Sequence, residues 1–401
     1  MSTPAATPAA TPAATPAASA SSSPLGSLEP VASGTWTGLR WVVAPEAAPL
    51  ASPADNGVDD SYHLFGWSRG YVAFRTHFSG PELGQPASTL SVVIETSADG
   101  LHWAVGQSLD VKGLAEFVGV SQLVEGPAGL VAVGKHEGSA CGGPMAVAAL
   151  WTSSDGITWS RIDVAKAFGA NNVYSVEAGG AGYVATGESQ TGAVQRVWIS
   201  SDGKTWHPSQ LPAAISGKVV IDGATAFGGG FVVAGAVLGD VGCGSSTLNP
   251  ALWLSASGKT WTRATLSGAM AAPEASIWDS RINDHALVAN EQSYDPATDK
   301  TTTAAWTSTD GKSWTAVAQS PLGLGDLVGS GSRALVVPSS PDEAGNVDIW
   351  AYENDLSLVK LAQTGDLPTD LWTNGWQTAL GPAGLVATDF TGTRFYLGIP
   401  N

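Results

Sequence analysis

One nine-residue pattern, Trp-Thr-Ser-x-Asp-Gly-x-Thr-Trp, returns along this chain at intervals of about fifty residues, and it constrains the fold more than any other feature. It reads WTSSDGITW from Trp151 to Trp159, WISSDGKTW from Trp198 to Trp206, WLSASGKTW from Trp253 to Trp261 and WTSTDGKSW from Trp306 to Trp314. A weaker copy, ETSADGLHW, runs from Glu95 to Trp103. A unit this short cannot bury an apolar face by itself, so the 401 residues read as one array of neighbouring units before any division into domains.

Upstream of each motif lies a second recurring segment, a turn followed by an apolar run of small and β-branched residues. Its seven copies are WSRGYVAF (67 to 74), PAGLVAVG (127 to 134), GAGYVATG (180 to 187), GGGFVVAG (228 to 235), NDHALVAN (283 to 290), GSRALVVP (331 to 338) and PAGLVATD (382 to 389). Short apolar runs bounded by glycine are strand signals, and the turn before each marks a tight hairpin. Each unit parses into four antiparallel strands: one before the turn, the apolar strand, a third carrying the first Trp and a fourth carrying the second. Four-stranded units repeated radially predict an all-β, seven-bladed β-propeller. With 49 glycines and only 13% charged residues, helix is expected to be scarce.

The chain ends agree with a circular arrangement. The last unit begins near Trp372, carries its apolar strand at Leu385 to Thr388 and stops after a third strand at Arg394 to Ile399. The segment ASGTWTGLRWV, Ala32 to Val42, has the look of a spare fourth strand, with Trp36 at the motif position. Pairing it beside the C-terminal strand is expected to complete the last blade and leave no open sheet edge. Residues 1–30, a Pro/Ala/Thr/Ser tract with TPAA repeated, read as a disordered stalk, and 31–401 as the propeller.

With 18 Lys+Arg against 35 Asp+Glu, the net charge of −17 opposes binding to a phosphate backbone, and nucleic acid is not an expected partner. No run of eighteen apolar residues is present and Met1 leads directly into Ser-Thr-Pro, so neither a spanning segment nor a secretion signal is read in the sequence. The stalk nonetheless suggests an extracellular or cell-surface protein whose export signal or anchor is not in the sequence. Cys141 and Cys243 each stand ten residues before the first Trp of their unit and are candidate disulfide partners, with two free thiols as the alternative.

Within SSDGITW the Asp can accept backbone N–H groups of its own turn, Gly permits a positive φ, and Thr and Trp fasten the hairpin to the sheet. Trp36, Trp103, Trp151, Trp159, Trp198, Trp206, Trp253, Trp261, Trp306, Trp314 and Trp350 occupy repeat positions and are assigned to packing. These hairpins resemble the Asp-box, or BNR, repeat of the sialidase-like superfamily over about five of the units. The Asp stands one place later here than in the usual Ser-x-Asp-x-Gly-x-Thr-Trp. The resemblance implies Asp-box-like hairpins on a propeller and a ligand site on the opposite face. It does not by itself imply an activity. Sialidase chemistry in that family needs three arginines around a carboxylate, a Tyr nucleophile beside a Glu, and an Asp acid/base. Of the nine arginines here, Arg281 alone is placed on a strand that opens a unit, and the Arg-Ile-Pro type motif is absent.

The residues best placed to line the mouth are those at or before the first strand of each unit: Asp60, Tyr62, Glu116, Asn172, Tyr174, Trp278, Asp279, Arg281, Asp326, Trp372, Asn374 and Trp376. Trp278, Trp372 and Trp376 fall outside the repeat's packing positions and could present ring faces to a sugar or a partner side chain. Asp60, Glu116, Asp279 and Asp326 could supply the carboxylate pair of a glycosidase. The six histidines lack metal-site spacing, no phosphate loop or dinucleotide fingerprint occurs, and no metal or cofactor is expected. The expected function is a monomeric recognition or scaffold propeller that binds a protein or glycan at its central mouth. The alternative is a glycoside hydrolase or lyase using mouth carboxylates, with a membrane-complex assembly factor as a third reading. No catalytic residue is assigned.

Overall fold

In a computed structural model the structure describes residues 36–45, 60–79, 89–114, 117–136, 146–189, 195–211, 218–238, 248–266, 276–283, 286–295, 300–317, 326–329, 334–352, 358–390, 392 and 394–401. The expected stalk, residues 1–30, and both Cys141 and Cys243 lie outside them. Among the described residues helix is confined to two short pieces, Val164–Phe168 and Thr369–Asn374, and no helix is long and apolar enough to cross a membrane.

The chain is an all-β propeller. Six sheets have four strands each, joined in chain order and antiparallel throughout. The first consists of Asp60–Trp67, Gly70–Ser79, Thr89–Ser97 and Ala104–Ser108, and the second of Phe117–Gly126, Gly129–His136, Val147–Ser153 and Ser160–Ile162. The third, fourth, fifth and sixth open at Asn171–Gly179, Lys218–Phe227, Ser276–Asn283 and Asp326–Val328. The expectation of seven equivalent four-stranded units is corrected to these six, because the sheet that unites the chain ends is built differently. There Gln377–Gly381, Gly384–Thr388 and Phe395–Pro400 are followed by Gly38–Val43 and then by Ala362–Gly365. Gly38–Val43 is antiparallel to Phe395–Pro400, with Trp41 opposite Gly398. It is parallel to Ala362–Gly365, with Trp41 opposite Gly365. That fifth strand leaves the sixth sheet and had no signal in the repeat.

The core is not a single centre. Successive sheets share apolar clusters, as when Val72, Phe74, Val92 and Ile94 of the first pack on Phe117, Leu130, Ala132 and Trp151 of the second. Tyr62, Leu64, Tyr71 and Ala73 of the first pack on Ala379, Val386, Phe395 and Leu397 of the end sheet. Face-to-face packing of twisted sheets is the usual way for strands with one apolar face to leave water.

The Asp-Gly turns seat one sheet on the next. Asp155 accepts hydrogen bonds from the backbone N–H of Ile157 (2.8 Å) and of Thr158 (2.7 Å), while Ser153 Oγ accepts from Gly156 N–H at 2.9 Å. The Trp159 indole N–H donates to Gly156 O at 3.0 Å. Backbone donors hold the Asp155 and Asp310 carboxyls down to about 2. Gly156 has φ of 76°, which a side chain would strain, and a Cβ there would lie 2.9 Å from the Trp67 ring of the preceding sheet. The corresponding Gly100 of the first sheet sits on Val386 and Leu397 of the end sheet.

In the fourth sheet Ser257 takes the place of the Asp, and its hydroxyl accepts only a 3.3 Å bond from Lys259 N–H. Ser257→Asp is expected to stabilise the protein by about 0.5–1 kcal/mol by supplying the missing acceptors. Urea denaturation checks this, and a variant no more stable than the parent refutes it.

Candidate functional site

The first strands of the sheets face a common axis. A cavity of about 1330 Å³ lies toward their C-terminal halves, its described lining being 63–68 of the first sheet, 121–125 of the second, Glu177 and Ala178 of the third, Ala224 and Thr225 of the fourth, and 376–382 of the end sheet. The sixth sheet adds Val328, Gly329, Val337, Pro338 and Ser339, and Phe390 closes one side. This exceeds the usual 300–1,000 Å³ of a small-ligand site.

Trp376 and Phe390 provide the aromatic surface. Trp376 is half-buried and meets Trp372 edge-on, with centroids 4.7 Å apart and planes at 75°. Phe390 is 52% exposed. Beside them lies Gln377, whose side-chain oxygen accepts the Leu64 N–H at 3.1 Å, so that its amide nitrogen is the donating end. Further along, Gln122 donates to Glu177 at 2.6 Å. Glu125 accepts the Ser68 N–H at 2.8 Å and the Ser68 hydroxyl as well. His63, with its pKa pushed down by burial, also faces the cavity. The arrangement brings ring faces, amides and hydroxyls onto one cavity.

Of the sequence-predicted mouth residues, Trp376 lines this cavity. Tyr62 and Trp372 are corrected to core positions. Tyr62 is 1% exposed and Trp372 3%, the latter packed edge-on against Trp41 at 6.0 Å. Asn172 and Tyr174 lie on the first strand of the third sheet, where the Tyr174 hydroxyl donates to Glu188 and its carbonyl accepts from Lys135. Burial and Glu188 raise Tyr174 to about 12, and burial lowers Lys135 to about 8. Glu116 falls outside the described residues. Asp60, Trp278, Asp279, Arg281, Asp326 and Asn374 belong to described strands or to the second helix, but their side chains lie outside the description. The proposed pairings of Asp60, Glu116, Asp279 and Asp326 therefore have no described geometry. Among the described residues no cluster could hold a metal ion.

Glu125, Glu177, His63 and Phe390 are not singled out by a mouth placed at the strand starts, because the described lining falls on the second halves of the first strands, toward the hairpin turns that follow them. Such a mouth also omits a buried group at the seam between the first and end sheets. There the Arg75 Nε lies 3.3 Å from Glu95 Oε1, and the Tyr62 hydroxyl donates to Glu95 Oε2 at 3.0 Å. Burial pushes the Glu95 carboxyl above its usual range despite the opposing pull of Arg75 and Tyr62. Glu95 pairs across the sheet with Ala73, as Trp151 pairs with Ala132 and Trp198 with Ala185. It thus holds the place that a tryptophan holds in its neighbours.

The fold defines the class: a β-propeller with a cavity between its first strands. No protein-family model matches the chain, and no curated protein matches it. Solved structures to which it is similar include the β-propeller domain of the Trilobed protease from Pyrococcus furiosus, 8% identical over 84% of this chain and 93% of that one, with a TM-score of 0.44. The α-L-arabinanase from Penicillium chrysogenum is 13% identical over 82% and 97%, with a TM-score of 0.37. A glycosyl hydrolase from Bacteroides ovatus is 13% identical over 68% and 94%, with a TM-score of 0.31. Likeness at these identities concerns fold alone.

Proposed function

We propose that the protein is a recognition propeller that holds an oligosaccharide in its axial cavity, against Trp376 and Phe390. The observation that carries this reading is the convergence of those two rings with Gln377, Gln122 and Ser339 on one cavity. A flat ring face covers the apolar side of a sugar while amides and hydroxyls meet its edge. Titration of the full-length protein against a panel of oligosaccharides tests it. Trp376→Ala is expected to weaken capture about tenfold or more while leaving most of the stability in place, since the ring is half-buried. If no saccharide binds, or if the variant binds as well as the parent, the reading fails.

A second reading, hydrolysis, is favoured by one observation: two carboxylates, Glu125 and Glu177, line the same cavity. Both accept hydrogen bonds that tie neighbouring strands, which fits a structural duty as well. Cleavage of a panel member that is abolished by Glu125→Gln or Glu177→Gln would establish the enzyme.

The finer architecture follows the same lines. The seven sheets act as blades of one ring, with Gly38–Val43 as its closing strand, and residues 31–401 form one domain. The hydrogen bonding of Asp155 and its counterparts supports kinship with Asp-box hairpins. Display outside the cell or at its surface accords with the composition of residues 1–30.

A further inference from the structure

We infer that the turns between the third and fourth strands of the third, fourth and fifth sheets form a docking surface for a short acidic peptide segment, separate from the axial cavity. These turns lie at one end of their sheets, beside the hairpins that join the first two strands: Ser200 stands opposite Tyr183, Ser255 opposite Phe231 and Ser308 opposite Leu287. They are also neighbours. The Ser209 hydroxyl of the third sheet donates to Gly258 O at 2.5 Å and accepts the Trp261 indole N–H at 2.9 Å, which seats the fourth turn on the outer strand His207–Ser209. A Cβ on Gly311 would lie 2.4 Å from Leu254, so the fifth turn rests on the fourth sheet.

Over 200–211, 255–266 and 308–317 the sequence carries four cations, Lys204, Lys259, Arg263 and Lys312, against two carboxylates, Asp202 and Asp310. All four cations are exposed, and among the described residues none has an ion-pair partner. Lys360 and Arg394, by contrast, pair with Asp348 at 2.6 Å and with Asp370 at 2.9 Å. Asp202 and Asp310 are turned to their own backbone, accepting the N–H groups of Lys204 and Thr205 and of Lys312 and Ser313.

The positive charge concentrates at the fourth turn. There Ser257 replaces the Asp, leaving Lys259 and Arg263 with no carboxylate in their segment. This is a second, independent observation, because the replacement forgoes the acceptor that steadies the neighbouring turns and retains only a 3.3 Å bond. The surface is also short. Where the third turn has Lys204, the first two have Leu101 and Ile157, each two places after an Asp. A long polyanion or a flat anionic layer would extend onto Asp99 and Asp155, whereas a segment of a few Asp or Glu side chains spans the three turns alone. The net charge of −17 opposes any anion from a distance, so the attraction acts at short range, within about 10 Å near 0.1 M salt.

The test is calorimetric titration of the full chain with a hexaglutamate peptide at low salt, with a Gly-Ser hexapeptide as control. Hexaglutamate alone is expected to bind, and to weaken as salt rises. Lys259→Ala combined with Arg263→Ala is expected to weaken it about tenfold. Ser257→Asp is expected to weaken it about threefold while unfolding at higher urea than the parent. Ser257→Asn supplies a turn acceptor without charge, and is expected to bind within about twofold of the parent. No binding at about 1 mM peptide, an undiminished affinity in the double variant or in Ser257→Asp, or equal losses in Ser257→Asp and Ser257→Asn would overturn the inference. So would phosphatidylserine vesicles that bind the parent and not the double variant while the peptide does not bind, an outcome that assigns the patch to a membrane. None of these positions lines the cavity, so the saccharide reading stands or falls on its own titration.

Discussion

Trp41→Ala will lower the unfolding free energy by about 3–5 kcal/mol, the range for removing a large aromatic side chain from a packed interior. Trp41 is 1% exposed. Its ring packs edge-on against Trp372 and lies over Gly398, where an added Cβ would come within 3.2 Å of it. Its indole N–H donates to Gln363 at 3.0 Å, and Gln363 in turn donates to Val347 O at 2.7 Å. One side chain therefore ties the N-terminal strand to the C-terminal strand, to the parallel strand Ala362–Gly365 and to the chain leaving the sixth sheet. Trp41→Phe keeps most of the packing but strands the Gln363 oxygen, and is expected to cost about 1–3 kcal/mol. Urea denaturation followed by fluorescence and by circular dichroism measures both. A cost below about 1 kcal/mol for the alanine variant would show that Gly38–Val43 is not part of the cooperative fold.

Arg75→Met is expected to be nearly as damaging, at about 3–5 kcal/mol near pH 7, because it leaves the Glu95 carboxylate buried without its cation. The side chains of the pair are 10% and 6% exposed. Arg75 is the main influence holding the Glu95 pKa down, and burial already raises it. Removing the guanidinium therefore raises it further. A carboxyl whose folded pKa exceeds its unfolded one contributes most below the unfolded value, and that contribution is lost as pH rises through the folded one. The variant's deficit should accordingly shrink on acidification from pH 7 toward pH 5. Adding Glu95→Gln, which removes the buried charge, should recover part of the loss at pH 7. A deficit independent of pH, or no recovery in the double variant, would mean that packing rather than the unpaired charge dominates.

The repeat was legible because it is local. Ser153, Asp155, Gly156 and Trp159 complete their hydrogen bonds within one turn, so the residues needed are adjacent in sequence. The pairing of Gly38–Val43 with the C-terminal strand could be sought because an array lacking one strand leaves a vacancy at a known place. The parallel strand Ala362–Gly365 could not, since it follows no motif and is fixed by Trp41 and Gln363, which are 322 positions apart. The cavity was harder still. Glu125 and Glu177 are ordinary strand residues in sequence, and only the convergence of the first strands brings them to the cavity that Trp376 also lines. Glu95 did leave a trace: ETSADGLHW begins with a carboxylate where WTSSDGITW begins with an indole. Taken as a weak copy of the motif, it is better understood as a substitution that brings Arg75 and Tyr62 with it.

Thr37 donates from its backbone and its hydroxyl to the Asn401 carbonyl, and Asn401 N–H returns a bond to Gly38 O at 3.0 Å. The backbone at these two points is therefore already within reach of a short peptide bridge. A circularly permuted gene that fuses them and opens the chain at the exposed turn around Gly345 would encode the same set of strand pairings in a new order of synthesis.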